Sequence, residues 1–338
     1  MIFLVTGSAG FIGFHVAQYL LDRGERVIGI DNLNPYYDVA LKRARLARLE
    51  GRRGFTFQPV DVADSVAMTA LAERHPDIEM MIHLAAQAGV RYSLTQPLAY
   101  VEANVKGQVV LLETARKLPQ LKSIVYASSS SVYGANTKQP FSIDDRADHP
   151  VSLYAATKRA GELITESYCR LYALPCTGLR FFTVYGPWGR PDMAAYLFTD
   201  AILGGRPIQV FNNGQMKRDF TYIDDIVPAI VAAAELTPVQ PGEHRLYNLG
   251  NNHPEALLDF IAVLETALGR SAVKQMMPMQ PGDVPTTYAD IGPARRELGF
   301  EPRVPIAVGL PRFVAWYREY HGINEYHGIN EPTPGVTP

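Results

Sequence analysis

The stretch Ile2-Phe3-Leu4-Val5-Thr6-Gly7-Ser8-Ala9-Gly10-Phe11-Ile12-Gly13 decides the fold. A short β-rich apolar run is followed by glycine at every third position, and the glycines open directly into residues 11–23, whose apolar side chains recur at helical spacings of three and four. Further along the chain, residues 26–30, 55–60, 80–84 and 123–127 repeat the character of the first run, and residues 66–74 and 105–117 repeat that of the helix. Strands alternating with helices imply an α/β, Rossmann-type doubly wound parallel sheet joined by right-handed crossovers. Beyond residue 177 the alternation weakens, and Pro187, Pro191, Pro207, Pro238, Pro241, Pro278, Pro281 and Pro285 mark loops between shorter elements. We therefore expect a nucleotide-binding domain over 1–176 and a smaller substrate-binding lobe over 177–317. The two interleave, because residues 176–182 and 246–249 read as strands returning to the main sheet. The last stretch, 318–338, holds a tandem hexapeptide, Glu319-Tyr320-His321-Gly322-Ile323-Asn324 and Glu325-Tyr326-His327-Gly328-Ile329-Asn330, and reads as a flexible tail.

Composition narrows the function classes. The 338 residues carry 32 Lys and Arg against 34 Asp and Glu, a net charge of −2 that offers no excess basic charge for a nucleic-acid backbone. A hydrophobic fraction of 47% with 20% charged residues is that of a folded globular chain. No apolar run approaches the roughly 18 residues that span a bilayer, and the first residues enter a strand pattern without a basic leader, so the expectation is a cytoplasmic protein with no membrane partner. Cys169 and Cys176 are too few for a disulfide framework or a four-cysteine zinc site, and we expect no metal.

The glycine-rich turn has the chemistry of a dinucleotide site. Gly7, Gly10 and Gly13 permit a tight turn, close approach of backbone to a pyrophosphate and close packing of helix on strand, while the helix N-terminus at Phe11 and Ile12 faces the anion. The second strand ends in Asp31-Asn32, where a carboxylate can accept both ribose hydroxyls and repel a 2′-phosphate, which favours NAD over NADP. Asp61-Val62 after the third strand stands either at the adenine edge or as an ordinary strand end. Leu84, Ala85 and Ala86 after the fourth let a cofactor pass close to the backbone, or serve only packing.

Tyr154-Ala155-Ala156-Thr157-Lys158 puts a phenol and an ammonium on one helix face, one turn apart. A cation beside the phenol favours the phenolate, so that Tyr154 can take a proton from a substrate alcohol. Ser128-Ser129-Ser130-Ser131 ends the fifth strand in hydroxyls able to bond the same alcohol oxygen.

With these motifs in view, the sequence resembles the extended short-chain dehydrogenases/reductases, and among them the nucleotide-sugar 4-epimerases, most closely the UDP-glucuronate 4-epimerases, from residue 3 to about 317. The resemblance implies a Ser/Thr-Tyr-Lys triad at Ser129, with Ser131 as the alternative hydroxyl, Tyr154 and Lys158. It implies NAD that is reduced and reoxidised within one turnover, a UDP-sugar substrate, and a homodimer built from a four-helix bundle of residues 105–117 and 154–172. The stretches 85–93 and 184–193 resemble the glucuronate enzymes more than the UDP-galactose epimerases. They deliver Arg91 with Ser93, and Arg190 just beyond Thr183, as candidate sugar ligands, the arginines suited to a carboxylate or a diphosphate oxygen. Asn32-Leu33-Asn34-Pro35-Tyr36-Tyr37-Asp38 is also similar to the glucuronate enzymes, with no chemistry legible in it.

Arg218-Asp219-Phe220 matches the substrate-domain motif, with Arg218 placed to neutralise the diphosphate or to make a structural salt bridge, and Asp283 is the expected ligand of a uridine ribose hydroxyl. Where UDP-galactose epimerases often supply a second diphosphate arginine this chain has Gln280, and Arg295 is no secure substitute. The related dehydratases and decarboxylases diverge through an acid in the strand-end motif, where this chain has Ser130 and Ser131. The expectation is therefore simple epimerisation. A UDP-glucuronate decarboxylase, another UDP-sugar 4-epimerase and a non-catalytic NAD-binding regulator are the rivals.

Overall fold

Adjacent residues of the first strand, β1 (Ile2–Thr6), enter different cores: Phe3 and Val5 pack in one hydrophobic cluster and Leu4 in another. Successive strand residues face opposite sides of a sheet, so a strand apolar on both faces must be covered on both. The computed structural model describes residues 1–236, 240–280 and 282–323. In it β1 leads to α1 (Phe11–Asp22), β2 (Arg26–Ile30), α2 (Val39–Leu49), β3 (Phe55–Gln58), α3 (Ser65–Arg74) and β4 (Met80–His83). Two single turns, α4 (Tyr92–Thr95) and α5 (Pro97–Tyr100), run into a π-helical turn (Val101–Lys106) and then α6 (Gly107–Ala115). The chain continues through β5 (Ser123–Ser129), α7 (Leu153–Tyr172) and β6 (Cys176–Phe181).

These strands and a later one, β10 (His244–Leu249), form a seven-stranded sheet in the order β10-β6-β5-β4-β1-β2-β3, every pair parallel. The order reverses between β1 and β4, and the crevice at their carboxyl ends is where such sheets bind ligands. Helices α3 and α6 bury Met68, Leu71, Val110 and Leu111 on one face. Helix α1 and a later helix, α9 (Ile223–Glu235), bury Phe14, Leu20, Ile226 and Ile230 on the other.

After β6 come β7 (Thr183–Tyr185), α8 (Ala194–Leu203), β8 (Ile208–Val210), β9 (Lys217–Tyr222), α9 (Ile223–Glu235) and β10 (His244–Leu249). Then follow β11 (Pro254–Ala256), α10 (Leu257–Leu268), β12 (Lys274–Met276), α11 (Gly292–Leu298) and α12 (Ile306–Tyr320). Strands β11, β9 and β7 make a second, small sheet and β12 and β8 a third, and β7 and β9 contribute residues to the wall of the crevice. The expected strand around residues 246–249 does rejoin the large sheet, beside β6.

Three elements depart from the sequence reading. Helix α2 was not anticipated, because it buries Lys42 and Arg45 beside Leu41, Leu46 and Leu49, charges in places that pattern reading assigns to solvent. The helix expected over 105–117 begins earlier as the π turn, which draws Asn104 inward. Helix α12 extends to Tyr320, into the expected tail, because Trp316, Tyr317 and Tyr320 pack with Trp188 and Tyr196. The second hexapeptide copy, the rest of the tail, Pro238 and Pro281 lie outside the described residues. Among the described residues no helix is long and apolar enough to cross a membrane.

Candidate active site

A continuous cleft of about 440 Å³ runs over the carboxyl ends of β1, β4 and β5 and is also lined by residues of β7 and β9. At one end the glycine turn is built for close approach. Gly7, at φ +71°, lies so near the strand-end backbone that a Cβ would stand 2.8 Å from Ala85 N, and a Cβ on Gly13 would stand 2.1 Å from the Gly7 carbonyl. Only glycine fits either place. The turn is closed by the Gly10 N–H donating to the Gly7 carbonyl at 2.9 Å, and Gly10 caps α1 without a side-chain ligand, leaving the helix N-terminus open to the cleft. Gly7, Gly10, Phe11, Ile12 and Gly13 all line this end. The cradle fits the pyrophosphate of NAD.

Asp31, buried at the end of β2, accepts from Ala9 N at 3.2 Å and Leu33 N at 2.8 Å, which fixes both oxygens at the cleft wall. Asn32 donates to Asp61 at 2.9 Å, and Asp61 also accepts from Ala63 N, so the acid is partly a structural cap while still lining the cleft with Val62. Leu84, Ala85 and Ala86 form the floor. Their backbone is held by Thr6, whose Oγ1 accepts from Leu84 N and Ala85 N and therefore donates to Nδ1 of His83 at 2.7 Å. His83 is a neutral acceptor in this arrangement, and burial pushes it down to about 3, with the Lys158 charge acting the same way.

In the middle of the cleft α7 presents Tyr154 and Lys158 against the end of β5. Ser152 caps the helix by accepting from Ala155 N, which sets the first turn, and Tyr154 belongs to that turn. Lys158 donates to the Ala127 carbonyl at 2.8 Å, and burial lowers it to about 8 against the opposing charge of Glu162. Burial raises Tyr154 above its ordinary value, while a hydrogen bond with Ser129 and the charge of Arg190 pull it back.

The four-serine run divides by direction. Ser128 turns into the core and donates to Glu162 at 2.6 Å, whereas Ser129 meets Tyr154 and also accepts from Ser131 N. Ser130 and Ser131 line the cleft as well.

At the far end stand Thr183, Arg190, Arg218 and Asp283. Arg218 and Asp283 meet each other: Nη2 donates to Oδ1 at 2.7 Å, and Nη1 donates to the Lys217 and Pro285 carbonyls. The two expected nucleotide ligands thus form the salt bridge that was the alternative for Arg218. Arg190 is gripped side-on by Asp192, which receives Nε at 2.9 Å on one oxygen and Nη2 on the other.

Arg91 and Ser93 do not line the cleft. Arg91 is exposed and its guanidinium lies 4.9 Å over the ring of Phe211, while Ser93 is buried and donates to the Val90 carbonyl at 2.6 Å, closing the turn before α4. Arg295 sits exposed on α11, away from the cleft. Several residues that matter carried no legible role. Lys42 lines the cleft with its ammonium 3.5 Å from Asp31. Asn104 clamps both backbone groups of Gln87 and donates to Thr157, tying the β4 loop to α7. Tyr36 donates to Asp192 at 3.0 Å, giving the unexplained Asn32–Asp38 match a partner.

Comparison with known proteins gives concordant results. Residues 3–250 match the model of the NAD dependent epimerase/dehydratase family. A probable UDP-glucuronate 4-epimerase of Rhizobium meliloti is 48% identical over 332 residues, covering 94% of this chain and 97% of that one. UDP-glucuronate 4-epimerase 2 of Arabidopsis thaliana is 48% identical over 331 residues, covering 94% of this chain and 76% of the plant protein. Among solved structures, the UDP-glucuronic acid 4-epimerase of Bacillus cereus in complex with UDP-glucuronic acid and NAD superimposes with a TM-score of 0.88 at 35% identity, covering 95% of this chain and all of that one.

Proposed function

This chain belongs to the NAD dependent epimerase/dehydratase family, and from that membership we propose that it is a UDP-glucuronate 4-epimerase, interconverting UDP-glucuronate and UDP-galacturonate. The observation that carries the reading is the shared cleft: a dinucleotide cradle at one end, Tyr154 with Ser129 and Lys158 in the middle, and a half-buried arginine at the sugar end.

Bound NAD supplies a hydride acceptor for C4 that later returns the hydride. Tyr154 takes the C4 hydroxyl proton, Ser129 holds the same oxygen, and Lys158 lowers the cost of the phenolate. The resulting 4-keto sugar turns about its diphosphate linkage, presents its other face, and receives the proton back from Tyr154. Arg218 steadies the diphosphate as pivot, its charge shared with Asp283, and Asp283 offers an oxygen to the uridine ribose. Arg190 meets the C6 carboxylate through the guanidinium edge that Asp192 leaves open, with Thr183 beside it. Gly7 to Gly13, Asp31, Asn32, Asp61, Val62 and Leu84 to Ala86 hold the cofactor.

A homodimer is supported by apolar side chains exposed on neighbouring elements: Leu94, Leu98, Val101, and Leu163, Leu171 and Tyr172 on α7. Cytoplasmic placement accords with two buried free thiols. Incubation with UDP-glucuronate, UDP-glucose and UDP-galactose and separation of the products tests the function. UDP-galacturonate from UDP-glucuronate, without UDP-pentose, is the expected result; UDP-pentose or exclusive turnover of neutral sugars overturns it.

A further inference from the structure

Arg190 does not wait for substrate as an unpaired cation. Two of its nitrogens are engaged by Asp192, two residues along the same loop, and Tyr36 donates to the Oδ2 of that acid, the same oxygen that receives Nη2. Arg190 lines the cleft and Asp192 does not, so the acid acts on a ligand only through the arginine. The anchor is itself built in. Gly89, at φ +94°, leaves room for the Tyr36 hydroxyl, since a Cβ there would come within 2.6 Å of it. The Tyr36 ring also leans on Tyr92 at 4.7 Å.

We propose that Asp192, oriented by Tyr36, is a positioning and specificity-determining residue: a resident counter-carboxylate that keeps the grip of Arg190 on the sugar acid weak enough for the sugar to turn over. The proposal rests on the reading that Arg190 meets the C6 carboxylate. Epimerisation exposes both faces of the 4-keto sugar in turn, so every contact that C6 makes in the first half-reaction is broken before the second. A lone, half-buried guanidinium would hold a carboxylate tightly and resist that rotation. With Asp192 in place the site is neutral when empty, and it also admits a neutral sugar without stranding a charge.

The test compares Asp192→Asn, Tyr36→Phe, Arg190→Met and the Asp192→Asn/Arg190→Met double variant in NAD-loaded protein, measuring affinity for UDP-glucuronate, UDP-glucose and UDP, and kcat on UDP-glucuronate. Asn keeps the shape and one acceptor but removes the charge. Asp192→Asn should tighten UDP-glucuronate about tenfold, lower kcat by a similar factor, weaken UDP-glucose and leave UDP unchanged. The tightening should vanish in the double variant. Tyr36→Phe frees an Asp192 oxygen for Arg190, and should weaken UDP-glucuronate about threefold with UDP unchanged.

Asp192→Asn that weakens UDP-glucuronate and UDP alike, or that shifts the acid-sugar affinity equally without Arg190, overturns the proposal while the role of Arg190 stands. If Arg190→Met alters UDP-glucuronate no more than UDP, the reading of Arg190 fails and the proposal with it. Should Asp192→Asn not fold, an unchanged acid-to-neutral ratio in Tyr36→Phe overturns the proposal.

Discussion

Arg45 is the residue whose removal should be felt at both ends of the cleft. It is fully buried, and its Nε and Nη2 donate to the Trp188 carbonyl at 3.1 and 2.6 Å, with Nη2 also reaching Gly189 O at 3.3 Å. Nη1 donates to Ala9 O in the glycine turn at 3.0 Å and to the Tyr37 hydroxyl at 2.8 Å. One guanidinium therefore ties the cofactor turn to the loop that carries Arg190, and among the described residues no carboxylate lies within salt-bridge distance of it. Hydrogen bonds from a charged donor are each worth about 1.5–3 kcal/mol net. Their sum is not the expected loss, because Arg45→Met also removes the cost of keeping the charge out of water, several kcal/mol for a buried ion. What remains is dominated by the Trp188, Gly189 and Ala9 carbonyls left without this donor, and we expect a loss of about 3 kcal/mol. Arg45→Lys should not restore it, since an ammonium cannot span three directions as the planar fork does. Urea unfolding with NAD stripped gives the stability, and NAD titration and KM for UDP-glucuronate give the two sites; both affinities should fall about tenfold. Stability within about 0.5 kcal/mol of the parent, or a loss confined to one ligand, would refute the coupling.

Tyr154→Phe should reduce kcat by about a hundred- to ten-thousandfold with substrate affinity little changed, and full activity in a turnover assay would move the proton acceptor elsewhere. Nucleotide released by denaturing the purified protein should be NAD by mass; Asp31→Asn should raise affinity for NADP, because Lys42 stays to meet a 2′-phosphate, and unchanged NADP binding would deny Lys42 that reach. Acid should destabilise the fold through its buried imidazoles. His83, held down to about 3, stays neutral in the folded chain while the unfolded chain takes up a proton below about 6.5, so stability is full above that pH and falls towards 3. Between pH 6.5 and 5 the loss should be about 2 kcal/mol from His83, His15 at about 4 adds in the same direction, and a flat unfolding midpoint over that range would contradict it.

What could be read in the sequence was what lies close along the chain. The turn from Gly7 to Gly13, the acid ending β2 and the one-turn spacing of Tyr154 and Lys158 are local patterns, with chemistry set by distances of a few residues. Direction was not local. The run Ser128 to Ser131 gives four equivalent hydroxyls until α7 is in place, and Glu162 then claims Ser128 while Tyr154 meets Ser129. Arg91 and Arg190 looked alike as loop arginines, and only the fold sends one onto Phe211 and the other into the cleft.

The illegible part of the site shares one physical cause: inward-facing polar and charged groups satisfied across long stretches of chain. Tyr36 reaches Asp192, and Arg45 reaches Trp188 and Gly189, through contacts that no periodicity announces. Both partners of each contact lie in segments without regular structure or in a helix with charged residues facing inward, so hydrophobic patterning had nothing to register. That placement has a functional logic. In the role proposed for Arg190, loop 186–193 has to hold it firmly against a sugar that moves, and a loop has no ladder of its own to stiffen it. His15 bonds the Pro187 carbonyl at 2.9 Å from α1, Arg45 holds the next two carbonyls from α2, and Tyr36 holds Asp192. Loop 186–193 thus borrows its rigidity from the half of the molecule that carries the glycine turn, so under the role proposed for Arg190 a change that loosens that turn is expected to blur sugar discrimination as well.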